Sequence, residues 1–441
     1  MTSTQRNRVL SRRSLAAVCA LGLVVAACGD GDEDEVTDTV GDSPADVTDT
    51  TADTTSGGAD STEGSSNGTA PSTDATNDAT SNDSIPATGE PVQVGVISSY
   101  TGNFGLYGDP MELALTLSLE SAGTIAGDRP IEVVFEDDAT DPAVAVERAT
   151  KLVEDGASVV VCCVNAGSTF AVAPVLAEAG VPQITPIANP LGLHENPNAF
   201  VAAPSVNYDA ERLGTYAAET LGYNTAVVLG MDMAYGQAVA QAFSDGFTAA
   251  GGEVVSTILP PFGTQDFGSY LAEIPDADVV FGGFAGADGI AFIQQYDQFG
   301  LKDRMPLLAH GPLITELLLQ AEGPAAIGTT AGFYYSSQLD NAENDRFKAA
   351  LADANPDLPP SHFTAGSWAT GTVLLDALES AGTDAEDGDV MRSAIANTTV
   401  DTPWGRISFD ADTGYVFGPT YVYSVIDDDG ILRHQIDATI E

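Results

Sequence analysis

The residues that could perform catalysis are scattered along the chain without a recognisable arrangement. His194, His310, His362 and His434 are isolated from one another, so they lack the spacing of a metal site. The chain contains no Ser-x-x-Lys or P-loop motif, and its Gly-x-Ser-x-Gly match at 64–68 does not follow a predicted strand, as a nucleophile elbow would. The glycine-rich stretch 102–108 follows a predicted strand, but its spacing is not that of a dinucleotide-binding loop. These absences argue against an enzyme, and no cofactor is expected.

Two further groups of residues leave alternatives open. Asp137, Asp138 and Asp141 form an acidic cluster that could hold a cation, although solvated and helix-capping carboxylates are the interpretation we favour. Cys162 and Cys163 end a predicted buried strand, where we expect them to pack as two small apolar side chains. A disulfide between them is the less favoured alternative, which an exported protein would permit.

The amino-acid composition of the chain excludes some classes of binding partner. The chain has 441 residues, with 15 Lys and Arg against 64 Asp and Glu, and a formal net charge of −49. Nucleic acid is an unlikely partner because phosphate binding requires a basic surface. The hydrophobic share of 44% is sufficient for a buried core, and the length allows about two or three domains. No stretch after the N-terminal segment offers about 20 consecutive apolar residues to span a membrane.

The N-terminal 28 residues have the organisation of an export signal. Four arginines precede the apolar run 15–27, which is too short to span a bilayer comfortably. The closing Val25-Ala26-Ala27-Cys28 resembles the lipobox of bacterial lipoproteins, in which the cysteine is lipidated. Ordinary signal-peptide cleavage nearby is the alternative, and Ser11–Leu15 also resembles a weak twin-arginine signal.

Residues 29–90 are expected to form a disordered acidic tether. They contain 16 Asp and Glu, no Lys or Arg, and almost no apolar side chain that could pack. Burial therefore cannot offset the entropy of ordering this segment. It would hold a folded domain away from the membrane to which Cys28 is attached.

From residue 92 onward, apolar strands alternate with helices. The first series predicts strands at 92–97, 131–135, 158–163 and 181–185, and helices at 110–122, 142–155 and 170–179. Asp109 and Asp141, each followed by proline, are the expected N-caps of the first two helices. A second series starts at 225 and includes strands 225–229, 253–259, 278–282 and 305–309. Two such series predict two α/β lobes with a ligand cleft between them.

Several segments together resemble a known family. They are Val94–Ser98 with Thr101-Gly102 and Tyr107-Gly108, Asp137-Asp138 with Asp141-Pro142, Gly180–Pro186, and Ala234–Gln237. In order and spacing they are similar to the solute-binding lipoproteins of branched-chain amino-acid-type ABC transporters, the type I periplasmic binding proteins. The resemblance extends over about residues 91–430.

The resemblance implies a fold and a division of the chain. The fold is α/β, with two Rossmann-like lobes whose parallel sheets are joined by a three-crossover hinge. Lobe one would comprise residues 91–205 plus 336–403, and lobe two residues 206–335 plus 404–441. A late strand at 421–426 would complete lobe two.

The resemblance also implies a ligand site. Its residues would be Tyr107, Ala166, Gly167, Ser168, Thr169, Ile187, Ala188, Asn189, Tyr235, Phe284 and His310. The amides at the helix start near 166–169 would hold a ligand carboxylate, although Ser168 or Thr169 could instead be a plain N-cap. For each aromatic residue, packing in the core is the alternative to facing the ligand.

The chain departs from amino-acid-binding relatives at informative positions. Ala166 and Asn189 stand where those relatives usually have serine and threonine. The segment Ala309–Pro312 lacks the glutamate that pairs with a ligand ammonium, and Asp288 is the candidate replacement. Thr140 and Asn165 occupy the positions of their usual disulfide. The segment 284–301 resembles more closely the relatives that bind aromatic or other organic acids.

The sequence therefore predicts an exported solute-binding lipoprotein of an ABC importer, without catalytic activity. Its expected partners are a small organic ligand, the permease subunits, and the outer face of the cytoplasmic membrane through lipidated Cys28. A ligand-sensing regulatory lipoprotein of the same fold is the first alternative. An exported two-lobed enzyme is the second, which the missing catalytic residues disfavour.

Overall fold

The computed structural model describes residues 89–121, 125–126, 129–187, 189 and 191–441. The predicted export signal with Cys28, the predicted tether up to residue 88, and Ala188 lie outside the described residues. The described part folds into two α/β lobes, each built on its own mainly parallel sheet. We call them lobe one, with six strands, and lobe two, with seven strands.

The strands follow the predicted series closely, with additional short ones. In chain order they are β1 Val92–Ser98, β2 Ile125–Ala126, β3 Arg129–Asp137, β4 Val159–Cys162, β5 Gln183–Thr185, β6 Ala199–Val201, β7 Thr225–Gly230, β8 Glu253–Ile258, β9 Val279–Gly283, β10 Leu307–His310, β11 Thr330–Phe333, β12 Thr399–Thr402, β13 Gly405–Ser408, β14 Thr420–Asp428 and β15 Ile431–Ile440.

The helices connect these strands and cover the sheets. In chain order they are α1 Gly108–Ser121, α2 Pro142–Glu154, α3 Ala166–Ala179, α4 Val206–Glu219, α5 Ala234–Ala249, α6 Gly268–Ala272, α7 Gly286–Gln298, α8 Leu319–Glu322, α9 Ala342–Ala354, α10 His362–Ala381 and α11 Gly388–Asn397. Short 3₁₀ turns occupy Leu193–Glu195, Gly311–Ile314, Gly323–Ala326 and Gly382–Asp384.

Because most strands of each sheet run in parallel, their carboxyl ends lie at the same edge of that sheet. Lobe one has the order β2-β3-β1-β4-β5-β6, and only the β2–β3 pair is antiparallel. Lobe two has the order β15-β14-β11-β10-β9-β7-β8, with β14 antiparallel to both β11 and β15. Strands β4 and β9 are buried along their whole length, as expected for parallel strands covered on both faces. The predicted strand 421–426 lies within β14.

The chain leaves the sheet of lobe two after β11, which ends at Phe333. Helix α10 packs against α1, α11 and the two-stranded β12–β13 sheet, and therefore belongs to lobe one. Its first residue follows Ser361, whose side chain accepts a hydrogen bond from the N–H of Thr364 in a capping box. The return from lobe two places the start of α10 near the loops that precede α1.

The first predicted helix starts earlier than expected. Residue Gly108 begins α1, so Asp109 lies in the first turn and is not the N-cap. The N–H of Met111 already bonds to the carbonyl of Tyr107 at 3.1 Å. A Cβ at position 108 would lie 2.5 Å from the carbonyl oxygen of Ser99, so only glycine allows this close approach. By contrast, Asp141 caps α2 as predicted, since its side chain accepts from the N–H of Ala143 at 2.8 Å.

Helix α3 also starts earlier, at Ala166 and not at residue 170. Its N-cap is Asn165, whose side chain accepts from the N–H of Gly167 at 2.9 Å. The alternative that Ser168 or Thr169 is the N-cap is therefore wrong, because both lie inside the first turn.

The two adjacent cysteines are paired. The structure joins Cys162 and Cys163 by a disulfide, so the expectation of two free packed thiols is wrong. Both residues remain buried beside Leu152 and Val160 in an apolar cluster, which agrees with the packing part of the prediction.

Candidate ligand-binding cleft

A cavity of about 450 Å³, counting its opening to solvent, lies between the two lobes. The residues that line it are Phe104, Tyr107, Val164, Ala166, Ile187, Asn189, Met233, Tyr235, Ala285, Pro312, Phe333, His362 and Phe363. Most of them follow the carboxyl ends of strands in both sheets, where ligands bind in open α/β folds, whereas His362 and Phe363 begin α10.

The wall from lobe one includes the start of α3. The cap of Asn165 uses the N–H of Gly167, and the N–H of Thr169 bonds to the carbonyl of Asn165 at 2.9 Å. The N–H groups of Ala166 and Ser168 have no hydrogen-bond partner among the described residues. The hydroxyl of Ser168 is also buried without a partner in that part of the chain. The helix start thus offers free donors with the favourable end of its dipole.

Asn189 contributes a polar group to the same wall. Its side-chain nitrogen donates to the carbonyl of Ile187 at 3.2 Å, and its backbone carbonyl accepts from Val206 at 3.2 Å. The side-chain oxygen of Asn189 is buried and has no partner among the described residues. A buried acceptor without a partner is unfavourable, so it is available to a ligand.

An aromatic wall crosses from lobe one to lobe two. The ring of Tyr107 stacks on Phe363 with centroids 3.8 Å apart. Its hydroxyl accepts a hydrogen bond from the N–H of Gly286, the first residue of α7 in lobe two, at 2.9 Å. Nearby, Phe104 of lobe one contacts Phe262 of lobe two, with centroids 5.4 Å apart. Burial raises the pKa of the Tyr107 hydroxyl, which therefore stays neutral.

The wall from lobe two contains a hydrogen-bonded pair. The hydroxyl of Tyr235 lies 2.9 Å from Nδ1 of His310. Burial, together with the nearby His362, lowers the pKa of His310 to about 3, so its imidazole is neutral at pH 7. Tyr235 itself lines the cavity, whereas His310 lies behind it.

Five of the predicted site residues line the cavity together: Tyr107, Ala166, Ile187, Asn189 and Tyr235. Gly167, Ser168 and Thr169 lie in the first turn of α3, outside the lining. His310 and Phe284 are also outside it. Ala188 is among the residues that the structure does not describe.

Phe284 requires a correction, because its ring packs in the core of lobe two. It is fully buried, stacks on Phe292 with centroids 4.3 Å apart, and meets Phe267 edge-on at 5.4 Å. Its neighbour Ala285 lines the cavity. Because the ring of Phe284 packs inside lobe two, the smaller Ala285 is the residue at this position that lines the cleft.

Sequence reasoning missed the contribution of residues 333–363. Phe333 ends β11, while His362 and Phe363 begin α10, and all three line the cavity. The segment Pro359-Pro360-Ser361 followed by Thr364 was an available signal, since it marks a capped helix start. Nothing in the local pattern indicated that this helix start faces the cleft.

Charged side chains are absent from the described lining of the cavity. Asp288, the candidate partner for an ammonium, is buried and accepts from the N–H of Gly263 at 2.7 Å. Burial raises its pKa to about 6. It therefore orders the loop before α6 and does not line the cleft.

The acidic cluster at 137–141 orders a loop. Asp137 accepts from the hydroxyl of Thr101 at 2.7 Å, and Asp138 accepts from the hydroxyl of Ser99 at 2.6 Å. In the part of the chain that the structure describes, no three His, Cys, Asp or Glu residues are grouped to hold a metal ion. These carboxylates fix the loop that carries Phe104 and Tyr107 to the cleft.

Two α/β lobes with an apolar cleft at their strand ends define a binding protein that encloses a small molecule. The chain belongs to the periplasmic binding protein family, whose sequence profile matches residues 91–430. It is a solute-binding protein of the ABC transporter type with the type I fold, and the family is non-enzymatic and extracytoplasmic. None of the helices in the described ranges combines the length and apolar character that crossing a membrane requires.

The relatives of known ligand class fall into two groups. The chain is 27% identical to Leu/Ile/Val-binding protein homolog 6 of Brucella melitensis, over 80% of this chain and 93% of that protein. It is 28% identical to an R. palustris solute-binding protein solved with benzoate, with a TM-score of 0.73, covering 79% and 96% of the two chains. A Rhodopseudomonas palustris BisB5 protein solved with 3,4-dihydroxybenzoic acid is 26% identical, with a TM-score of 0.74 and coverage of 80% and 97%.

Proposed function

We propose that this chain is a lipid-anchored solute-binding protein that captures a small aromatic or hydrophobic carboxylate and delivers it to an ABC permease. The observation that carries the ligand class is the described lining of the cleft, which is mostly apolar and has no charged side chain. Its ligand contacts would come from Tyr107, Ala166, Ile187, Asn189 and Tyr235, together with Phe333, His362 and Phe363.

The lining disfavours a ligand with an ammonium group. A buried cation without a carboxylate partner is strongly unfavourable, and the described lining supplies no carboxylate. Asp288 does not fill this role, because its carboxylate is occupied by the loop at Gly263 and Gln265. Free branched-chain amino acids are therefore poor matches for this cleft.

The helix start at this wall of the cleft can accept a carboxylate. The N–H groups of Ala166 and Ser168 are free donors at the start of α3, a helix of 14 residues. Helix starts bind anions through such donors without a basic side chain. Stacked rings such as Tyr107 and Phe363 would contact an aromatic ligand, adding about 0.5–1.5 kcal/mol per aromatic pair beyond burial. The solved relatives with benzoate and 3,4-dihydroxybenzoic acid support this assignment by similarity.

A ligand panel tests the ligand class. Thermal shift and calorimetry would compare benzoate and phenylacetate with leucine, isoleucine and valine. Benzylamine and benzyl alcohol are matched controls that keep the ring and replace the carboxylate. We expect the aromatic carboxylates to stabilise the protein, by about 2.7 kcal/mol at 100 times the dissociation constant. Strong stabilisation by leucine with none by aromatic acids would contradict the proposal.

The anchor and the division into lobes are parts of the same proposal. Lipidation of Cys28 would hold the protein at the membrane, with residues 29–90 as tether, 91–205 plus 336–403 as lobe one, and 206–335 plus 404–441 as lobe two. Fractionation of a Cys28→Ala variant tests the anchor: release of the variant from membranes supports it, and fractionation identical to the parent contradicts it.

A further inference from the structure

His362 has a polar atom that the fold leaves unused. It is the first residue of α10, is 2% exposed, and belongs to the residues that line the cleft. Its Nε2 has no hydrogen-bond partner among the described residues. A buried polar atom without a partner is unfavourable, so native proteins usually supply one or reserve the atom for a ligand.

The position of this imidazole is fixed by its surroundings. The capping box of Ser361 and Thr364 sets the start of α10. The ring lies 4.8 Å from Phe333, edge-on, and 4.0 Å from Phe363. An atom held in this way can discriminate between ligands, because it cannot turn away to find another partner.

The second histidine near the cleft has a different role. Nδ1 of His310 is occupied by the hydroxyl of Tyr235 at 2.9 Å, and His310 is not part of the lining. His362 is thus the histidine that reaches the cavity. Burial lowers the pKa of His362 to about 3, although Glu316 opposes this, so the ring is neutral and Nε2 can be either a donor or an acceptor.

We propose that His362 is a specificity-determining residue whose Nε2 hydrogen-bonds a hydroxyl substituent of the ligand. A hydroxyl both donates and accepts, and therefore satisfies either tautomer of a neutral imidazole. The inference rests on the proposed function and refines it: the preferred ligand is a hydroxylated aromatic carboxylate. A site built to hydrogen-bond a substituent discriminates against the analogue that lacks it, because its buried group stays unpaired.

Calorimetry with benzoate and the three monohydroxybenzoate isomers tests this inference. The measured quantity is the ratio of dissociation constants between benzoate and the best isomer. We expect a ratio of roughly 10 in the parent, as for one net hydrogen bond, and a ratio near 1 in His362→Phe. His362→Gln, which keeps a side-chain polar group, should retain part of the preference. Tyr296→Phe is the control, because it removes a buried hydroxyl of lobe two outside the lining, and it should keep the parent ratio.

Nuclear magnetic resonance of the parent, labelled with ¹⁵N in its imidazoles, provides a readout that does not depend on a variant folding. We expect the best hydroxybenzoate to shift the Nε2 resonance of His362 and benzoate to leave it nearly unchanged. Benzoate binding with no hydroxyl preference would overturn this inference alone, as would a preference that persists in His362→Phe. Failure of every aromatic carboxylate to bind would overturn the proposed function as well.

Discussion

At the residue scale, burial sets the charge of the groups around the cleft. Burial lowers the pKa values of His310 and His362 to about 3; His362 adds to the lowering at His310, whereas Glu316 opposes it at His362. Burial also raises the pKa of the Tyr107 hydroxyl, although its hydrogen bond with Gly286 opposes this. A ligand therefore meets neutral donors and acceptors at pH 7, and the histidines do not act as cations for its carboxylate.

A buried carboxyl in α4 predicts a pH dependence of stability. Asp209 is fully buried and accepts from the hydroxyl of Thr420 at 2.5 Å, while its other oxygen has no partner among the described residues. Burial raises its pKa from 3.8 to about 7, opposed by Thr420 and Arg212. Because the folded pKa is the higher one, stability falls as pH rises from about 4 to 7 and stays lower above pH 7.

We expect Asp209→Asn to remove this loss. Urea titration would give the free energy of unfolding of the variant and of the parent at pH 4 and at pH 8. The difference, variant minus parent, should be roughly 3 kcal/mol larger at pH 8 than at pH 4. Asp278→Asn is the control at an exposed carboxyl, where hydrogen bonds from Asn224 and Thr225 lower the pKa and no gain at pH 8 is expected. An equal difference between Asp209→Asn and the parent at both pH values would contradict the argument.

At the scale of elements, the start of α3 couples stability to ligand binding. Asn165 accepts from the N–H of Gly167 and donates to the carbonyl of Thr140 at 3.1 Å, which fixes the helix start against a neighbouring loop. The same helix start presents the free N–H groups proposed to hold the carboxylate. The side chain of Asn165 therefore stabilises the helix start and also positions the N–H groups proposed to bind the carboxylate.

We expect Asn165→Ala to lower the free energy of unfolding by about 1 kcal/mol, the usual cost of losing an N-cap. It should also weaken binding of benzoate, because the donors of Ala166 and Ser168 are less well positioned. Asn341→Ala is a matched control: Asn341 caps α9, accepting from Asn344 at 2.9 Å and donating to Pro403 at 2.8 Å, outside the cleft lining. Equal losses of affinity in both variants would argue against the role of the α3 start.

At the scale of the whole molecule, one hydrogen bond joins the two lobes across the cleft. The hydroxyl of Tyr107 in lobe one accepts from the N–H of Gly286 in lobe two, beside the contact of Phe104 with Phe262. Both groups are buried, so breaking the bond without separating the lobes leaves the N–H of Gly286 unpaired.

We therefore expect Tyr107→Phe to disfavour the closed arrangement by roughly 1–3 kcal/mol. Small-angle scattering should show that the variant contracts only at higher benzoate concentrations than the parent requires. Tyr296→Phe is the control, since the hydroxyl of Tyr296 donates to the carbonyl of Met305 at 2.8 Å within lobe two. It should lower the melting temperature and leave the ligand dependence of contraction unchanged. Parent-like contraction of Tyr107→Phe would contradict this role.

The sequence by itself determined the alternation of strands and helices and several of their boundaries. The cap of α2 at Asp141 and the buried strands β1, β4 and β9 follow from local pattern, because capping and apolar periodicity act over a few residues. The order of motifs also indicated the family and five residues of the cleft lining.

Only the tertiary structure decided which aromatic residues line the cleft. Phe284 packs on Phe292 in its own lobe, whereas Phe363, more than 250 positions after Tyr107, stacks on that tyrosine across a crossover of the chain. Capping and periodicity specify that a helix starts at His362, but they carry no information about what the start faces. What the helix start faces depends on how segments distant in sequence pack against one another in the folded core.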